Sequence, residues 1–161
     1  MMIIKFSFSL AIALLGMGCA HAASDADRHV GYYYPPPDQI EIYHARIKVL
    51  PDANQLRRIG FVTAITHENL KRPYPPSTVF YAKGEQSEKL IIIAQQDGIL
   101  DTIYRVRAYL ASLTAIARTT AAFQETQAGV TLTFFDLARM LGFSQITISD
   151  GRVFTHQVKI K

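Results

Sequence analysis

His156 is an imidazole set on an otherwise apolar strand face, a few residues beyond Ser149 and Asp150. A histidine so placed can act as a general base when a carboxylate orients it, and Asp150 and Asp136 are the candidate acids. That pairing would make the chain a small hydrolase. The competing reading is a buried imidazole hydrogen-bonded to backbone, since no residue pattern marks a nucleophile or an oxyanion hole beside it. Asp136 has an architectural reading of its own. Thr133-Phe134-Phe135-Asp136 has the form of a capping box, in which the acid reaches back to the first residue of a helix.

Other chemistries leave less trace. His67-Glu68 opens like a zinc-protease helix, but Lys71 stands where the second histidine must fall one turn later. Zinc needs three or four convergent ligands, and no two of His29, His44, His67 and His156 have ligand spacing on one helix face, so no metal site is expected. The glycine-rich phosphate loop, the dinucleotide fingerprint and the Gly-x-Ser-x-Gly elbow are all missing, and no cofactor is expected. The formal charge is +4, carried by scattered residues such as Arg46, Arg57, Arg58, Arg105 and Arg107. Nucleic-acid binding needs a dense phosphate-facing patch with stacking aromatics, so no nucleic-acid partner is expected.

Compartment follows from the first 22 residues. Lys5 supplies a positive charge, Phe6 to Met17 form an apolar run, and Ala20-His21-Ala22 gives the small-x-small pattern of a signal peptidase site. Residues 1–22 therefore read as a signal peptide cut before Ala23, which places the protein in the periplasm or outside the cell. A retained anchor is the rival reading, opposed by a run shorter than the roughly 20 residues of a spanning helix. Lipidation at Cys19 is a second rival, with Gly18 in its favour and Gly16 and Met17 against it. Cys19 is the only cysteine, so cleavage leaves a chain without disulfides, thiolate nucleophiles or cysteine-bound metal, and without a transmembrane segment. Although 49% of the whole chain is apolar, the leader inflates that figure, and the remainder has ordinary globular composition.

Residues 23–38 have no helical or strand period. Pro35, Pro36 and Pro37 fix φ and remove three donors, which predicts an extended arm. Tyr32, Tyr33 and Tyr34 are either an adhesive handle, together with the prolines, for an envelope protein, or rings that fold back and pin the arm to the domain.

Residues 39–161 hold the elements that must position any site. Ile40 to Leu50 alternates, with Tyr43, Ala45, Ile47 and Val49 on one side, as a half-buried strand does. Residues 52–70 stay open between a capped turn at Asp52 followed by a strand over Ile59–Thr66, and a single helix. Thr78 to Lys83 and Lys89 to Gln95 read as strands, the second apolar on both faces and so central. Asp101 to Arg118 reads as a helix whose core stripe is Ile103, Val106, Leu110, Leu113 and Ala117. A second stripe, Tyr104, Ala108, Ala111 and Ala115, suits close packing on a sheet. Thr119 to Gly129 reads as a polar connector, followed by a short helix over 134–141 stopped by Gly142. The end reads as a hairpin turning on Ser149-Asp150-Gly151 with Gly151 in a left-handed bulge. That register opposes Ile146 to Phe154 and puts Phe154, His156, Val158 and Ile160 on one face. Strands, two helices, then strands predict one α+β domain with a largely antiparallel sheet, one long helix, one short helix and a C-terminal β-hairpin.

The stretches Tyr81-Ala82-Lys83-Gly84, Lys89-Leu90-Ile91-Ile92, Asp97-Gly98 and Tyr104-Arg105-Val106-Arg107-Ala108 resemble a group of small exported proteobacterial proteins. So does the run from Leu132-Thr133-Phe134-Phe135-Asp136-Leu137 through Leu141-Gly142-Phe143 to Ser149-Asp150-Gly151. That group carries the name molybdopterin-guanine dinucleotide biosynthesis protein A, and the resemblance implies a nucleotide-linked cofactor role. The glycine-rich, Arg-Met-Gly-containing loop of the nucleotidyltransferase of that name has no counterpart here, so no catalytic residue carries over. The residues themselves favour a non-enzymatic binding module of the envelope, with the His156 hydrolase and the cofactor role as alternatives.

Overall fold

Five strands rich in β-branched and aromatic residues join into one sheet in the computed structural model, which describes residues 34–118 and 131–161. In chain order they are β1 (Gln39–Tyr43), β2 (Thr78–Lys83), β3 (Lys89–Ala94), β4 (Gln145–Ser149) and β5 (Thr155–Ile160). Among the described residues the helices are α1 (Gln55–Leu70), α2 (Ile103–Arg118) and α3 (Phe134–Met140). The leader, Cys19, Tyr32, Tyr33 and the 119–129 connector lie outside the described residues.

The α+β class and the C-terminal hairpin are as the sequence predicts, but the sheet is mixed. In the order β1-β5-β4-β3-β2, β4 pairs antiparallel with β5 and β2 with β3, while β1 runs parallel to β5 and β3 parallel to β4. The two parallel pairs join strands that are remote in sequence or separated by helices. Local alternation therefore carries no sign of them.

Of the two readings left open for 52–70, the structure has the helix, α1 over 55–70, so there are two long helices among the described residues where one was predicted. Asn54 caps α1 by accepting from the Arg57 amide at 2.9 Å. Phe61, Val62 and Ile65 form its core-facing side, and Gly60 lies on the solvent side with nothing near its missing Cβ. Burial on one stripe here outweighs the weak β preference of Val62, Ile65 and Thr66.

The first strand is also shorter than its alternation predicts, because pairing to β5 ends at Tyr43↔Ile160. Beyond it Ala45 and Ile47 still pack on the core, so the alternation records burial more faithfully than pairing.

All three helices cover one face of the sheet. Leu90, Ile92, Ile146, Ile148 and Ile160 meet Val106, Leu110, Leu137, Leu141 and Phe143 in a continuous apolar core. On the opposite face Tyr34 packs against Ile91 and Ile93. Beside them runs a polar row, where Gln145 and Gln157 both donate to Thr147 Oγ1 at 3.2 and 3.4 Å.

The hairpin loop is five residues long, not three, and Ile146 opposes Val158 instead of Phe154. Asp150 explains the length. Its Oδ1 accepts from the amides of Arg152, Val153 and Phe154 at 2.8 to 2.9 Å, which closes a wider turn than the backbone alone would. Gly151 does take a positive φ of 76°. The observed register differs from the predicted one by an even number of residues, so His156, Val158 and Ile160 still share a face with Ile146 and Ile148.

Candidate functional site

Each residue singled out for chemistry can now be placed. Asp136 is fully buried at the start of α3. Its Oδ2 accepts from the Thr133 amide at 2.8 Å, the backward arm of the capping box, and from Tyr43 Oη at 3.0 Å. Its Oδ1 accepts from the Arg46 amide at 2.8 Å. One carboxylate thereby ties the α3 N-terminus to the end of β1 and to the segment after it, and the helix dipole favours the negative charge there. Burial beside this carboxylate raises the Tyr43 phenol above its ordinary pKa. Asp150 spends its Oδ1 on the hairpin loop.

Neither acid is the one beside His156. That partner is Glu41 on β1, whose Oε2 lies 3.5 Å from Nε2, while Glu41 Oε1 stands 3.4 Å from Arg107 of α2. The β1–β5 register puts Glu41 two residue pairs along from His156, on the same, helix-covered face. Sequence reading missed this acid because β1 and β5 pair in parallel across most of the chain. The imidazole is 2% exposed, and its Nδ1 is buried without a hydrogen-bond partner. Desolvation lowers its pKa, with Glu41 opposing and Arg107 assisting the shift. The arrangement holds a neutral imidazole away from solvent.

Tyr34 is 4% exposed, its ring against Ile91 and Ile93, so this tyrosine is pinned to the sheet and is not a free handle. Pro36 is exposed, and Pro35 and Pro37 are half-buried. Arg58 is a buried cation that sequence reading took for scattered surface charge. Its guanidinium donates to Gln86 O through Nε and Nη2 at 2.9 and 2.6 Å, and to Leu141 O and Gly142 O at 3.4 and 3.5 Å. It therefore bridges the 84–88 loop and the C-terminus of α3. Its only sequence signal is a position in register with the apolar side of α1.

An open feature lies along α2. The Tyr104, Ala108, Ala111 and Ala115 stripe, expected on the sheet, faces solvent, because Val106, Leu110 and Ala117 already face the core. Between this stripe and the β1 end and α3 start runs an open groove of about 460 Å³. Ala111, Ala115 and Leu110 form one wall, and Tyr43 and Phe135, rings 4.8 Å apart, form the other. Guanidiniums mark both ends. Arg107 stands at one, beside Glu41. At the other, Arg118 Nε donates to Leu132 O at 3.2 Å and the neighbouring Arg46 donates to Thr131 O at 3.1 Å. The hydroxyl of Thr114 on the groove wall is already spent, donating to Leu110 O and accepting from the Phe134 amide.

Among the described residues no group of three or more His, Cys, Asp or Glu is placed to hold a metal ion, and no helix is long and apolar enough to cross a membrane. Comparison with protein-family models, with curated proteins and with solved structures finds no match to this chain.

Proposed function

We propose that the chain works after export, in the periplasm or outside the cell, as a binding module without catalytic activity that seats an envelope protein in the α2 groove. The observation that carries this reading is the groove itself, an exposed wall of small side chains and aromatic rings with cations at its ends. Small and aromatic surface of this kind lets a partner approach closely and lose water over its whole length. The side chains with catalytic potential support the same reading from the other direction. Asp136 and Asp150 are committed to backbone and Tyr43 donors, and His156 is enclosed, so a substrate would have no approach to the imidazole.

The test is photo-crosslinking in the native compartment from a benzoylphenylalanine at Ala111, with Tyr74, 79% exposed and outside the groove, as control. The reading expects a defined adduct from position 111 and none from 74. Equal labelling from both positions, or none from 111, would overturn it.

A further inference from the structure

We propose that the groove takes an α-helix of a partner protein whose facing side carries two carboxylates about three turns apart. This deepens the binding-module reading and rests on it. The charge around the groove sets the sign of the partner. Arg46, Arg107 and Arg118 are all exposed, and among the described residues the acids near them are Glu41, which pairs with Arg107, and Asp136, which is buried and bonded to four donors. The excess is cationic, and guanidiniums pair with carboxylates through directional hydrogen bonds.

The spacing of those cations sets the form. Positions 107 and 118 lie on nearly the same side of α2, separated by roughly 16 Å along its axis at 1.5 Å per residue. Between them three of the exposed positions, 108, 111 and 115, are alanine, spaced by 3 and 4 residues as a helix–helix seam requires, and exposed Ser112 and Ile116 flank them. With no side chain beyond Cβ along that seam, a second helix can lie alongside α2 at close axial distance. It would then reach both arginines with acids of matching separation.

A second copy of the chain fits worse. Laying α2 on α2 in antiparallel fashion sets Arg107 against Arg118, and a parallel arrangement sets each arginine against itself. Both juxtapose like charges. A lipid chain fits worse too, since the groove is open along its length and would leave one flank of the chain in water.

The test uses two synthetic helical peptides of equal composition on the purified protein. In one, two glutamates flank an alanine and leucine seam at the separation of Arg107 and Arg118; in the other, they sit on the opposite face. The inference expects amide shifts at Ala108, Ala111 and Ala115 with the first peptide, binding about tenfold tighter than the second, and weakening as salt rises. Arg107→Glu with Arg118→Glu should remove that preference, with the melting temperature read alongside to show that the variant is folded, since Arg107 pairs with Glu41 and Arg118 holds Leu132 O.

Equal binding of the two peptides, no binding of either, or no effect of the double charge reversal would overturn the inference. So would amide shifts caused by phosphatidylglycerol vesicles alone, or a dimer in gel filtration that blocks these amides. The crosslink at Ala111 separates the two levels. An adduct that survives the double charge reversal leaves the binding module standing and removes the acidic helix, whereas the absence of any adduct removes both.

Discussion

His156 and Asp136 are both buried polar side chains, and they differ in what surrounds them. Four donors converge on Asp136, so its burial is compensated, while His156 keeps one nitrogen without a partner. Asp136→Ala should therefore lower stability by about 2–4 kcal/mol in urea unfolding, since it strands the Arg46 and Thr133 amides and leaves the Tyr43 hydroxyl with Thr133 Oγ1 alone. An unchanged midpoint would contradict the role given to this carboxylate. His156→Leu should behave in the opposite way. An unpartnered buried polar atom costs about 1–3 kcal/mol, so near neutral pH the leucine variant should melt no lower than the parent.

The pH dependence of His156 has a definite sign. Its pKa is lowered in the fold, so the unfolded chain takes up a proton first as pH falls. The neutral imidazole's contribution is intact above the ordinary value of about 6.5 and is lost progressively below it. The parent's melting temperature should consequently fall relative to that of His156→Leu between about pH 7 and pH 5. Parallel curves would contradict the enclosure of this imidazole.

Among the elements, α3 shows how much a short segment can specify. Seven helical residues are held by a capping acid at one end and by Gly142 at the other. Gly142 has φ +84°, its amide donates to Arg139 O at 2.9 Å, and the next amide donates to Ala138 O at 2.9 Å, closing a complete Schellman turn. A Cβ at this position would also stand 2.5 Å from Arg58 Nη1. Gly142→Ala should cost about 1–3 kcal/mol by thermal or chemical unfolding, and less in an Arg58→Met background, where the steric contact is gone. Equal cost in both backgrounds would contradict the packing of Arg58 under the turn.

This element was legible in the sequence because both of its signals are local. The strand alternation of Thr78–Lys83 and the core stripe of α2 were legible for the same reason. The parallel pairings were not, since they join β1 to β5 and β3 to β4 over long separations. Those pairings fix which acid stands beside His156, and so Glu41 escaped while Asp136 and Asp150 drew attention. The second stripe of α2 was recognised as a stripe. Its direction was not, because periodicity reports that a face is small and apolar without reporting which neighbour covers it.

At the scale of the whole molecule, one sheet face carries the three described helices, and the other receives Tyr34. Tyr34→Ala removes a buried ring from Ile91 and Ile93 and should cost about 3–5 kcal/mol, read as a lower melting temperature. A variant as stable as the parent would contradict the anchoring of this residue. Asp136, Asp150, His156 and Arg58 are engaged within the fold, and the binding proposed above is placed on the α2 groove.

Crosslinking from Ala111 in the native compartment addresses that claim most directly. A single partner adduct at 111, with none at Tyr74, is the result predicted. An unlabelled position 111 in cells that fold the protein normally would contradict it.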